Sequence, residues 1–176
     1  MKKILFDGRE VPYLITESLP MLIHGTEGSG ASLYTVCLAA NWFSQDYRIL
    51  FLCGYPMAEE EFAQQIGNSY KNVIFYTQEK VEEFKLILKH DLLDNTIIIV
   101  KNIELFGNDI FDAIKGIESL IVSGDVTKSD LKVKLLNKEY ATKVFFSDIE
   151  EYDFPELEKY QGMFLSERYK GITQIQ

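Results

Sequence analysis

Between Met21 and Phe43 the chain runs through an apolar stretch, a loop of glycine and serine and an amphipathic segment, and this order constrains the fold more than any other feature. Met21-Leu22-Ile23-His24 has the length of a buried strand. Gly25-Thr26-Glu27-Gly28-Ser29-Gly30-Ala31-Ser32 follows, and Leu33, Val36, Cys37, Ala40 and Phe43 then recur at helical spacing. A phosphate-cradling loop reads glycine, four residues, then Gly-Lys-Ser/Thr, set between a strand and a helix. Gly25 and Gly30 keep that spacing, Ser32 keeps the hydroxyl that serves magnesium, and Ala31 stands where the lysine belongs. The glycines let backbone N–H groups turn inward on an anion, and the helix N-terminus adds its partial positive charge. A plain turn accounts for the glycines but not for their placement. The cradle is retained and its mobile cation is missing.

Downstream, β-rich runs alternate with helical ones. Arg48 to Cys53 is a continuous apolar strand of the kind buried on both faces of a parallel sheet. Ala58 to Ile66 predicts a short acidic helix, Val73 to Tyr76 a strand, and Val81, Phe84, Leu88 and Leu92 a second helix. Thr96 to Val100 is the most hydrophobic strand and is expected at the centre of the sheet. Ile110, Phe111, Ile114, Ile117, Leu120 and Ile121 predict an amphipathic helix with Ser123-Gly124-Asp125 as its stop signal. Leu131 to Tyr140 reads as a further helix and Lys143 to Ser147 as a strand. Met163-Phe164-Leu165 and Ile172 to Ile175 read as a terminal pair of strands. Such alternation implies an α/β fold with a largely parallel sheet, in one domain over residues 1–176.

Composition narrows the function. Hydrophobic residues make up 47% of the chain, enough for a substantial core. The net charge of −9 argues against a nucleic-acid partner. No run approaches the roughly 20 apolar residues of a membrane span. Asp7, Arg9 and Glu10 interrupt the N-terminal segment before it could serve as a signal peptide, so a cytoplasmic location is expected. Cys37 and Cys53 read as small buried hydrophobes, and the isolated His24 and His90 offer no metal site.

A phosphate-loop enzyme also needs an acid at the tip of a second hydrophobic strand to hold magnesium. The strand from Thr96 to Val100 is followed instead by Lys101-Asn102. An ammonium there repels the metal that a carboxylate attracts. Lys101 is expected either to reach solvent or Glu104, as strand-end lysines do, or to supply the loop's missing cation from another direction. Glu59, Glu60 and Glu61 follow the strand ending at Cys53; Glu59 and Glu60 are candidates for a general base, although acids also simply favour a helix N-terminus.

In this order the pieces resemble the RecA-like ATPases, and in particular the single-domain branch with archaeal RadA paralogues and KaiC-type proteins. Gly25 to Ser32 is similar to the Walker A loop apart from Ala31, and Ile97 to Val100 to the Walker B strand with Lys101 in the acid's place. Ile49 to Cys53 with Glu59-Glu60 is similar to the second strand and catalytic glutamate. Ser166 to Gly171 resembles the late β-hairpin. The resemblance implies a three-layer RecA-like P-loop NTPase fold, a mostly parallel twisted sheet flanked by helices with a C-terminal β-hairpin. It also implies nucleotide, as ATP with magnesium, at subunit interfaces, bound by Gly25, Thr26, Glu27, Gly28, Ser29, Gly30, Ala31 and Ser32; Lys101 joins them only if it supplies the missing cation. It makes Arg168 and Lys170 candidates to reach a neighbour's phosphate.

Three functions follow as expectations. The first is a non-catalytic RecA-like subunit or regulator that requires no cofactor, binds nucleotide weakly or not at all, and assembles with itself or a paralogous RecA-like subunit. The second is an ATP-binding protein or slow ATPase with a substitute lysine or arginine. A recombination-type DNA-binding accessory is the third, opposed by the net charge and by the lack of a basic, aromatic-rich loop.

Overall fold

The computed structural model describes residues 1–176. Strands β1 (Ile4–Phe6), β2 (Met21–His24), β3 (Arg48–Cys53), β4 (Val73–Tyr76), β5 (Thr96–Lys101), β6 (Leu120–Gly124), β7 (Thr142–Phe145), β8 (Gln161–Ser166) and β9 (Lys170–Ile175) form one sheet. Its order is β1-β9-β8-β7-β2-β6-β5-β3-β4. The six strands from β7 to β4 are parallel, and β8, β9 and β1 add an antiparallel flank.

The helices are α1 (Pro12–Thr16), α2 (Ala31–Phe43), α3 (Ala58–Ile66), α4 (Val81–His90), α5 (Asn108–Ile114) and α6 (Lys132–Asn137). Successive strand residues point to opposite faces, so β5 divides its side chains between two cores. Ile97 and Ile99 pack with α1, α2 and α3, whereas Ile98 and Val100 pack with α4, α5 and α6. Three layers result, and each fully buried aliphatic side chain contributes roughly 1.5–3 kcal/mol. The loop strand β2 lies in the middle of the sheet, with Met21 to His24 wholly buried, and the glycine loop opens at its C-terminal end.

The expected α/β class, mostly parallel sheet and closing hairpin are present, with several local corrections. Leu120 and Ile121 belong to β6, not to a long helix, and Ser123-Gly124 ends that strand. Helix α5 stops at Ile114, before Gly116. The periodicity from Ile110 to Ile121 joined two elements because β6 is buried on both faces and therefore carries apolar residues at every helical phase. Strand β5 is fully buried but lies third from the β4 edge; the central place falls to β2. Helix α6 is shorter than the predicted Leu131 to Tyr140, β7 begins at Thr142 and ends at Phe145, and Leu92 lies exposed beyond the end of α4. Strand β1 and helix α1 are additions to the expected elements. Three residues of β1 carry too little pattern alone, and they are strand only by pairing with β9.

Candidate functional site

The loop from Gly25 to Ser32 links β2 to α2, the strand–loop–helix context that a phosphate cradle requires. Its backbone bends through Gly28 at φ +78° and Gly30 at φ +100°, left-handed values that side-chain-bearing residues avoid. Helix α2 has no side-chain cap at its N-terminus. Several loop amides are already engaged. Gly25 N–H donates to Gly124 O at 3.2 Å, Thr26 N–H to Ser147 Oγ at 2.9 Å and Ser29 N–H to Thr26 O at 3.2 Å. Ala31 N–H makes a long 3.4 Å bond to Ser29 Oγ, which lies close against Gly25. The N–H groups of Glu27, Gly28, Gly30, Ser32 and Leu33 donate to no protein acceptor.

The connection from β7 to β8 clamps this loop. Phe146 packs on Gly25, Ser147 holds Thr26, and a Cβ on Gly30 would lie 2.7 Å from Tyr160 Cδ1. Tyr160 remains 42% exposed, with the Lys159 ammonium 4.9 Å from its ring centroid. Phe146, Ser147 and Tyr160 carry no sequence signal for this role, because nothing local ties residues 146–160 to a loop more than a hundred positions away.

Beneath the loop, strand register builds a second element of the site. Ile23 pairs with Ser123, Ser123 with Lys101, and Lys101 with Cys53. Alternation turns all four side chains toward the α2 face, the face to which Ile23 and Cys53 contribute core. Lys101 is 5% exposed and makes no ion pair; its Nζ has a single 3.4 Å contact, with Asn102 Oδ1. It thus neither reaches solvent nor pairs with Glu104, contrary to the ordinary expectation for a strand-end lysine. Ser123 is 2% exposed and its Oγ has no partner. One strand, β6, separates β5 from β2, so two steps of about 4.8 Å lie between the backbones of Lys101 and the loop strand. Cys53 senses the same neighbourhood. Burial pushes its thiol up to about 12, with Lys101 opposing and the Glu59 and Glu61 carboxylates reinforcing.

The carboxylates fall elsewhere. Glu104 Oε2 accepts the Asp125 N–H at 3.1 Å and sits against Gly124, whose missing side chain would point to the sheet face opposite Ser123. Asp125 accepts the Thr127 N–H and lies 3.9 Å from His24 Nδ1, also on that opposite side. Glu59 accepts from Tyr70 Oη at 3.0 Å, Glu60 is exposed, and one buried oxygen of Glu61 is without a partner. The antiparallel pairing of β7 and β8 carries the turn between β8 and β9 to the opposite end of the sheet from the loop. Arg168 is there, paired with Glu17 at 2.7 Å, and Lys170 opens β9 beside it. Neither can reach the loop of its own chain.

No family model matches the chain, and no curated protein sequence matches it. Solved structures do. ATPases 2 and 3 of EssC from Geobacillus thermodenitrificans superpose with a TM-score of 0.58 at 13% identity, over 92% of this chain. This chain spans only 40% of that EssC chain. The genome-packaging NTPase B204 of Sulfolobus turreted icosahedral virus 2, solved with sulfate, gives 0.54 at 12% identity over 90% of this chain and 96% of its own. The flagellar accessory protein FlaH from Methanocaldococcus jannaschii gives 0.53 at 11% identity, over 83% of this chain and 77% of its own. The fold is that of the P-loop NTPases.

A magnesium-bound nucleotide, the group such a loop ordinarily takes, fits the amide half of this site and not its metal half. Free amides and the Ser32 hydroxyl remain for phosphate. At the tip of β5 stands the buried Lys101 ammonium, and Glu104 and Asp125 are engaged on the other side of the sheet. No helix is long and apolar enough to cross a membrane.

Proposed function

We propose that this protein is a non-catalytic RecA-like module, related to the RadA and KaiC branch, with degenerate Walker A and Walker B motifs. It works in the cytoplasm as a subunit or regulator through assembly with its own copies or with a paralogous RecA-like subunit, and affinity for magnesium nucleotide is weak or absent. One observation carries the reading: Lys101, at the end of the strand that resembles Walker B, is buried and has no carboxylate partner. Phosphoryl transfer rests on electrostatic positioning of the phosphates by lysine and metal. Ala31 removes the first and Lys101 repels the second.

The burial of Lys101 on the α2 face also favours the other expectation, an ATP-binding protein with a substitute cation. Arg168 and Lys170 lend it no support within one chain. Titration calorimetry with magnesium-ATP, on protein cleared of bound nucleotide, separates the two when phosphate release is followed in parallel. The expected outcome is no sustained magnesium-dependent release; steady turnover that the Ser32→Ala variant loses overturns the non-catalytic reading. Light scattering after size exclusion tests assembly, and a strict monomer at high concentration would require a different partner subunit.

A further inference from the structure

We infer that the loop and the row beneath it form a metal-independent site for a phosphate-class oxyanion, in which the Lys101 ammonium takes the place of magnesium. This deepens the non-catalytic reading and rests on it. Three observations converge. Glu27, Gly28, Gly30, Ser32 and Leu33 present N–H groups without acceptors around the start of a 13-residue helix. Ser123 Oγ, 2% exposed and without a partner, lies on the α2 face between the loop strand and Lys101. Lys101, also buried at 5% exposed, offers three donors and spends one on a 3.4 Å contact that a better acceptor would displace.

Burying an ammonium with one long contact and a hydroxyl with no partner is unfavourable, and a polyanion answers both deficits together. In a magnesium-dependent loop the metal neutralises phosphate charge and is itself held by a carboxylate. Here one fixed positive charge does the first task, and the second has no residue to perform it. The same arrangement makes magnesium a competitor, because a metal on the phosphates brings positive charge next to Lys101. The recognised chemistry is that of linked phosphates, from a nucleotide or from free pyrophosphate.

The test is calorimetric titration of the full chain with ATP and, separately, with pyrophosphate, each in EDTA and in excess magnesium. The expected result is saturable binding in EDTA, weakened about tenfold or more by magnesium, with the metal-free affinity reduced at least tenfold by Lys101→Met and several-fold by Ser123→Ala. Equal affinity for the two ligands places recognition in the phosphates alone, and a preference for ATP adds the nucleoside; either supports the site. Binding that requires magnesium, or no binding of either ligand in EDTA, overturns the inference without any variant. Unchanged affinity in a folded Lys101→Met or Ser123→Ala protein overturns it too. These outcomes leave the non-catalytic reading standing, which fails separately on sustained phosphate release.

Discussion

The hydroxyl of Ser147 accepts the Thr26 N–H at 2.9 Å and lies 3.0 Å from the Thr26 hydroxyl, fastening the glycine loop to the chain that leaves β7. The loop is therefore held from outside by residues 121 positions away as well as by its own glycines. Phe146 and Tyr160 extend the same clamp to Gly25 and Gly30. The site is accordingly assembled by the order of strands in the sheet, and its features can be probed one at a time.

Ser147→Ala removes both contacts to Thr26. The expected cost is about 1 kcal/mol or less, since the pair is solvent-accessible, and the Thr26 amide should exchange with deuterium markedly faster. Chemical denaturation and amide exchange followed by NMR read the two effects. Unaltered exchange at Thr26 would mean that the clamp does not hold the loop in solution.

Gly30→Ala asks alanine to adopt φ +100° and sets a methyl 2.7 Å from Tyr160 Cδ1. The two effects together should cost about 1–3 kcal/mol. Adding Tyr160→Ala should recover the part due to the ring and leave the part due to the backbone. Wild-type stability in the single variant, measured by urea denaturation, would rule out this loop conformation.

Restoring the usual charges tests what the two departures do together. Ala31→Lys alone places a second ammonium in the site and is expected to give no phosphate release. Ala31→Lys combined with Lys101→Asp should raise magnesium-ATP affinity by roughly tenfold or more, each tenfold being about 1.4 kcal/mol. Titration against wild type reads the change. An affinity equal to wild type in the double variant would show that these two positions do not limit magnesium-ATP binding.

His24 introduces a pH dependence. Burial holds its imidazole below the usual histidine range, with Asp125 opposing. A histidine whose folded value lies below the unfolded one near 6.5 binds its proton more readily in the unfolded chain. The neutral side chain, whose Nδ1 accepts the Val126 N–H at 3.2 Å, thus supports the fold above that value, and the support is lost as pH falls through it. Urea midpoints for wild type should fall between about pH 8 and about pH 5 by more than those of His24→Asn. Equal losses in both proteins would exclude His24 as the source.

Much of the architecture was legible because each signal was local. The apolar run from Arg48 to Cys53, the helical spacing from Leu33 to Phe43 and the glycine loop between β2 and α2 depend on near neighbours in the chain, and the structure has all three. Where two signals overlapped, the reading failed. Leu120 to Gly124 is buried on both faces and lies close behind a short helix, so its residues satisfied helical spacing by coincidence. Misplacing β6 concealed Ser123, the residue that joins Lys101 to the loop strand.

Sequence alone therefore determined the α/β class, the position of the loop and the two charge departures at Ala31 and Lys101, because composition and spacing are properties of neighbouring residues. Tertiary structure decided what surrounds those two positions. Only strand order and register set Lys101 beside Ser123 on the α2 face, bury it without a carboxylate, and carry Arg168 to the far end of the sheet. Burial and pairing are relations between distant segments, and a lysine's role changes once water is removed from around its charge.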